Sequence, residues 1–363
     1  MSIFTQPWRL VPNRIRGNGG REIDKLRGIY PPVDDSSGSE AWIGSVTRVG
    51  NPPPGKPHYG CSEVELPDGR QMYLFEAIGL NPDAVLGEAH MQRHGHGLGM
   101  LVKYLDAASQ YGLQCHPTRP FAKLMWDSDY GKEESWYVIG TRDDTAEPPY
   151  ILLGFKEGVT REDWERHYRR DDITALENMC HKIPVQIGEA YFVGGGVPHA
   201  LGAGCLVIEV QEPCDITLGA RPYARVKQWL GSALTIDENT YDERLLGAYL
   251  YNGCGEAENL RRWRIPRKRL REGAWGAESI VIGPEQTAFF SFTEIIVQGN
   301  APLRLTGYPQ VGIVLSGQGV IEWTGGEMAI KRGDEVFIPH NVPGVSAKGN
   351  MSLVLCHPEG VMY

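Results

Sequence analysis

The sequence predicts a mainly β protein in two units, with a short helical insertion in the first and a helical connector between them. Three observations lead there. The chain has 363 residues, more than one hydrophobic core usually supports. Its 45 glycines and 25 prolines punctuate it as often as many short strands and tight turns require. Finally, the stretch Ile187–His199 recurs in residue class as Arg332–Gly344, at a constant offset of 145 residues.

Taken in order, residues 1–60 read as loop-rich, with turn clusters at Pro31-Pro32, Asp34-Asp35-Ser36-Ser37-Gly38 and Pro52-Pro53-Pro54-Gly55. Strand-like apolar runs follow at 71–75, 112–116, 136–139 and 150–153. Thr160 is placed to cap a helix over Arg161–Arg170, and Ile173, Leu176 and Met179 carry helical spacing into a second helix that reaches about His181. Strands resume at 189–193 and 204–210, and a mixed helical stretch covers 223–252. Beyond residue 271 the pattern shows only short strands and turns.

A net charge of −9 argues against nucleic acid as a partner, although a small anionic ligand is compatible with a local basic pocket. No stretch approaches the roughly 18 apolar residues of a membrane span, and MSIFTQPWRLVPNRIR has no apolar signal region. The seven cysteines are scattered without a Cys-x-x-Cys, which suits reduced thiols and a cytoplasmic setting. Seven arginines and lysines fall between 261 and 271. They read as a connector whose side chains meet acidic surface nearby, and they could equally help to hold an anionic substrate.

Both copies of the repeat read glycine, acid, short apolar strand, turn, then Val-Pro. This resembles the second motif of cupins, in which the residue after Val-Pro is a metal-binding histidine. The first copy has His199 there and the second has Gly344, so the resemblance implies two cupin (jelly-roll-like) β-barrels of which one binds metal. The expected division is a metal-binding barrel over 1–255 with its insertion at about 160–182, a basic connector over 256–272, and a smaller metal-less barrel over 273–363. His340 falls in the turn of the second copy and reads as an ordinary surface histidine.

Metal ligands upstream of His199 should sit on strands facing the same interior. Gln114 and His116 are two apart and so share one strand face, and Glu134 begins the next apolar run. The segments Gln114-Cys115-His116-Pro117, Gly131-Lys132-Glu133-Glu134-Ser135-Trp136-Tyr137 and Gly196-Val197-Pro198-His199-Ala200 resemble the signature segments of class I mannose-6-phosphate isomerases. Lys103–Ala107 and Ile208–Thr217 match in order and spacing as well. The resemblance implies one zinc per chain, held by Gln114, His116, Glu134 and His199. A rival cluster, His90, His94 and His96, lies in glycine-rich surroundings and reads as a mobile loop at a pocket rim.

The resemblance also implies interconversion of mannose 6-phosphate and fructose 6-phosphate through an enediolate. That chemistry needs a polarised carbonyl, a stabilised oxyanion and a group that carries a proton between adjacent carbons. Glu209, a charge on an apolar strand, is the candidate acid–base group or else a residue that orients a zinc ligand. Lys132 and Lys103 match family lysines near the substrate, although either could be a solvated surface lysine. Two positions depart from the family: Gly219 stands where an arginine is expected, and Gly112 where a serine near the phosphate is common. If the strand continued, Arg221 would share a face with 219 and could replace the missing arginine. These departures keep open an isomerase of another sugar or sugar phosphate, and a non-catalytic sugar-binding cupin. The oligomeric state is not legible.

Overall fold

Three antiparallel sheets organise the computed structural model, which describes residues 2–36, 38–304, 306–359 and 361. Ser37, in the expected turn at 34–38, lies outside the described residues. A six-stranded sheet runs in the order Arg264–Ile265, Ala190–Val193, Glu134–Thr141, Cys205–Gln211, Leu101–Asp106, Glu40–Ile43. A five-stranded sheet runs Leu218–Gly219, Gln114–Cys115, His199–Leu201, Tyr150–Phe155, Cys180–Pro184. Leu105, Val138, Tyr191 and Val207 of the first meet Ile151, Leu153, Ile183 and Leu201 of the second in one buried core. Alternate residues of these strands point into that layer, which is how strand period brings the candidate ligands to one interior.

The third sheet has ten strands and is built mainly from the C-terminal third of the chain. It shares a core with the six-stranded sheet: Tyr104, Tyr137, Phe192 and Ile208 pack with Phe292, Ile313 and Val354. Its edge is completed from the other end of the chain, because Trp8–Leu10 pairs with Glu335–Ile338 and then with Glu63–Glu65. Trp8 is fully buried with its ring 5.4 Å from Phe337. Burying so large a ring is worth about 2–3 kcal/mol, so the first strand is anchored to the last unit across the expected boundary at 255.

The short strands expected after residue 271 are in fact long: Phe290–Pro302, Gln310–Trp323 and Ser346–Pro358 each run for 13 or 14 residues. Glycines that read as turns lie inside these strands. Gly299, Gly349 and Gly319 sit abreast in register. A Cβ on Gly319 would lie 2.1 Å from the Lys348 carbonyl oxygen, and one on Gly349 2.6 Å from that of Gln318. The glycines permit close backbone approach rather than ending the strands.

Helices depart from expectation in the same direction. The run 71–75 is strand only over Gln71–Tyr73; Leu74–Leu80 is helix, followed by Pro82–Leu86 and Glu88–His94. The Glu76 carboxylate accepts the Tyr73 N–H at 3.1 Å and so starts the first of them. The capped helix after Thr160 forms as expected over Arg161–Tyr168, with the threonine hydroxyl accepting the Asp163 N–H at 3.1 Å. Its successor stops at Asn178, and His181 belongs to the strand Cys180–Pro184, where Cys180 and Ile183 are buried.

The repeat is structural. Gly188 and Gly333 both have positive φ, 92° and 86°. Their N–H groups donate to Val138 and Val314 respectively, each at 2.8 Å. Ala190–Val193 and Glu335–Ile338 are strands of identical extent at the same offset. Val193 faces Glu134 in register as Ile338 faces Gln310, and Glu209 faces Trp136 as Leu355 faces Gly312. The second unit therefore carries Gln310, Leu355 and Gly344 where the first carries Glu134, Glu209 and His199.

All seven basic residues of 261–271 are ion-paired. Arg261 and Arg262 pair with Glu258, Arg264 with Glu189, Arg267 with Glu294, Lys268 with Glu285, Arg269 with Glu272 and Arg271 with Glu278. The segment lies on helix Glu256–Trp263 and strands Arg264–Ile265 and Lys268–Gly273.

Candidate metal centre

His116, Glu134 and His199 converge, all fully buried, with one ligand atom of each within 4.8 Å of the others. His199 opens a strand paired with Gln114, and Glu134 opens the strand facing it across the core. The Nε2 atoms of His116 and His199 lie 3.1 and 3.3 Å from the two carboxylate oxygens of Glu134. Each imidazole is oriented through its other nitrogen: Nδ1 of His116 donates to the Ile216 carbonyl at 3.0 Å, and Nδ1 of His199 to that of Val197 at 2.9 Å. Both Nε2 atoms therefore turn a lone pair toward Glu134, the arrangement metal-binding histidines adopt.

Two nitrogens and a carboxylate are a ligand set that zinc accepts, with room for further donors. Neither Glu134 oxygen accepts a well-formed hydrogen bond although both are buried and the Lys132 ammonium stands 3.0 Å from one of them, so the carboxylate keeps lone pairs that a metal ion would satisfy. The residues present thus fit a zinc ion. Gln114 adjoins them, its amide 3.3 Å from His199 Nε2. Lys132 Nζ lies 2.7 Å from His116 Nε2 and 3.0 Å from Glu134.

Burial opposes charge on all three ligands, with different results. It lowers the His116 imidazole to about 3, helped by Lys132, and lowers His199 too. For Glu134 burial is overridden by Lys132, His116 and His199, which hold the carboxyl well below its usual range. At neutral pH the set is two neutral imidazoles and one carboxylate, the forms that bind metal.

A cavity of about 320 Å³ adjoins the centre, lined by Gln114, Lys132, Lys103, Glu209, Arg16, Asp215, Glu40, Tyr111 and Thr217 among others. Lys103 and Glu209 form a buried ion pair at 2.7 Å, and Lys103 also donates to Gln211 at 2.5 Å. Glu209 accepts the Trp136 indole N–H at 3.1 Å, and that indole stands edge-on to His199 at 5.6 Å. Burial and the charge of Glu134 raise the Glu209 carboxyl against the pull of Lys103 and Lys132. Burial works against the Lys103 ammonium, but Glu209, Glu40 and Asp215 outweigh it and raise its pKa.

The structure thus gathers Gln114, His116, Glu134, His199, Lys132, Lys103 and Glu209, and leaves Arg221 elsewhere. The strand ends at Gly219 and does not carry Arg221 onto the same face. Arg221 Nη1 pairs with Asp171 at 2.9 Å, and the residue is not among those lining the cavity. The histidine cluster is corrected as well. His90 and His94 sit on helix Glu88–His94, with His90 buried and its Nε2 2.7 Å from the Gly97 carbonyl, and none of the three histidines lines the cavity. His340 is half-buried, its ring against Gly87. Sequence reasoning missed Arg16 and Glu40, whose partners lie far along the chain; Arg16 and Asp215 are separated by 199 positions.

Residues 282–358 match the family model described as mannose-6-phosphate isomerase, cupin domain. The chain is 27% identical over 259 residues to a probable mannose-6-phosphate isomerase of Bacillus subtilis (strain 168), covering 71% of this chain and 75% of that one. It is 27% identical to a mannose-6-phosphate isomerase of Streptococcus mutans, covering 71% and 73%. Its fold is similar to the solved mannose 6-phosphate isomerase of Bacillus subtilis, with a TM-score of 0.73 at 20% identity over 97% of this chain and 99% of that one. It is also similar to a solved zinc-bound mannose 6-phosphate isomerase, with a TM-score of 0.72 at 16% identity, covering 97% and 99%. The chain is thus similar to mannose-6-phosphate isomerases in its C-terminal cupin domain, over about 71% of its length in sequence, and in its fold.

Proposed function

We propose that this chain is a zinc-dependent aldose–ketose isomerase that moves the carbonyl of a mannose/fructose-type sugar pair between C1 and C2. The relatives' names point to mannose 6-phosphate, hence to fructose 6-phosphate as its ketose. The observation that carries the reading is the convergence of buried His116, Glu134 and His199 on one another, beside a cavity lined by Gln114, Lys132 and the Lys103–Glu209 pair.

His116, Glu134 and His199 would hold the metal, with Gln114 beside them as a fourth donor. Zinc bound there would supply Lewis-acid stabilisation of the negative charge that develops on the sugar oxygens. The chain's own side chains do the rest. In the isomerisation one hydrogen leaves C2 and one arrives at C1, while a hydroxyl proton passes from O2 to O1, so no atom is gained or lost. Glu209 would carry the carbon-bound proton: it is buried in the cavity wall, and burial together with the charge of Glu134 raises its carboxyl above the usual range. Lys103 fixes its orientation through the 2.7 Å ion pair. Lys132, which touches His116 and lines the cavity, would donate to a sugar oxygen.

The test is a coupled assay for ketose formation on zinc-loaded protein, run beside metal analysis of the wild type and His116→Ala. Turnover and bound zinc in the wild type, both lost in the variant, are expected. Zinc retained by His116→Ala, or no ketose from any aldose offered to the loaded wild type, would falsify the reading.

A further inference from the structure

Every cation that lines the cavity is already held by a carboxylate. Arg16 faces Asp215 with both terminal nitrogens, at 2.7 and 3.0 Å, and donates through Nε to Glu40 at 2.9 Å. Lys103 is on Glu209 at 2.7 Å and Lys132 on Glu134 at 3.0 Å. These three cations face four carboxylates, so even a bound divalent ion leaves the group near neutrality.

The places from which a further cation could reach in are bare. Gly219 lies directly across the sheet from Gln114, and a Cβ there would meet nothing within 4 Å. Arg221 and Arg225 are both turned to Asp171. A phosphate dianion entering this cavity would be desolvated beside Glu40, Glu209 and Asp215, and would have to pull a cation from a buried partner to be neutralised.

A sugar hydroxyl meets no such conflict. It donates to carboxylate oxygens and accepts from guanidinium and ammonium groups without disturbing their pairing. The cavity is also near the small end of the range for ligand sites.

Resting on the isomerase reading above, we infer that the substrate of this site is a neutral, unphosphorylated aldose, and that Arg16, paired with Asp215 and Glu40, recognises its hydroxyls rather than a phosphate. The test uses zinc-loaded wild type and a panel of neutral aldoses, D-mannose and D-lyxose among them, against their terminal phosphates. Calorimetry supplies Kd and the coupled assay supplies kcat/KM. The best neutral aldose is expected to exceed the best phosphorylated one by at least about tenfold in both, with inorganic phosphate failing to compete. Gly219→Arg, which fills open space with a cation, is expected to shift the ratio by about tenfold or more toward the phosphorylated sugar. A wild-type ratio below about tenfold, or competition by inorganic phosphate, overturns the inference and leaves the isomerase reading standing. Turnover of no sugar by loaded protein overturns both.

Discussion

Lys132 Nζ stands 2.7 Å from His116 Nε2 and 3.0 Å from a Glu134 oxygen. A side-chain ammonium thus lies against the same lone pairs that a metal would take, and the two cations must share or compete for Glu134.

Lys132→Met removes the ammonium and leaves Glu134 buried beside two neutral imidazoles. Breaking a buried pair from one side costs about 3 kcal/mol, so the metal-free variant should melt well below the wild type. Zinc should then raise its Tm by more than it raises that of the wild type. Thermal melts with and without zinc check this; an equal zinc-induced rise in both proteins would remove the competition between the cations.

Glu209→Gln keeps the size of the side chain and its contact with Trp136 while abolishing proton transfer. Isomerisation should fall by about 10²–10⁴-fold, and zinc content should be unchanged because Glu209 is not among the converging ligands. Loss of zinc together with activity would instead make Glu209 a residue that orients the metal site.

Arg221→Ala should leave kcat/KM within about threefold of wild type, since the side chain pairs with Asp171 and does not line the cavity. A half-exposed pair of this kind is worth about 0.2–1 kcal/mol, so the melting temperature should move little. A loss of activity beyond about tenfold would return Arg221 to the site.

Acid should destabilise the fold through His90. Burial lowers its imidazole from 6.5 to about 4, aided by His94 and opposed by the hydrogen bond to Gly97. The unfolded chain therefore binds the extra proton first. The stability that the neutral ring allows is complete above 6.5 and is lost as the pH falls from 6.5 toward 4. At pH 5 the loss should be about 1–2 kcal/mol. His90→Gln, which still donates to Gly97, should flatten the fall in urea midpoint between pH 7 and pH 5; an unchanged slope would place the acid sensitivity elsewhere.

How far the site was legible depended on how local its signal was. His116, Glu134 and His199 lie in short segments whose residue order is itself the signal, and strand period then places them on one face. Glu209 was readable as a charge inside an apolar strand. Arg16 carried no such mark: it lies in the loop-rich first 60 residues, and only the distant Asp215 and Glu40 give it a role. Arg221 failed for a related reason, because extrapolating its face assumed a strand that hydrogen bonding ends at Gly219.

The sequence by itself determined the β-rich class, the repeat at 145 residues and the contrast between His199 and Gly344, because each is written in neighbouring residues and in backbone preferences such as the positive φ of Gly188 and Gly333. Only the tertiary structure decided that Trp8 completes the C-terminal sheet beside Phe337, that glycines lie within long strands, and that the cations of the cavity are neutralised by carboxylates. These are pairings between distant segments. They are selected by burial and charge once the chain is folded, and no local pattern encodes them.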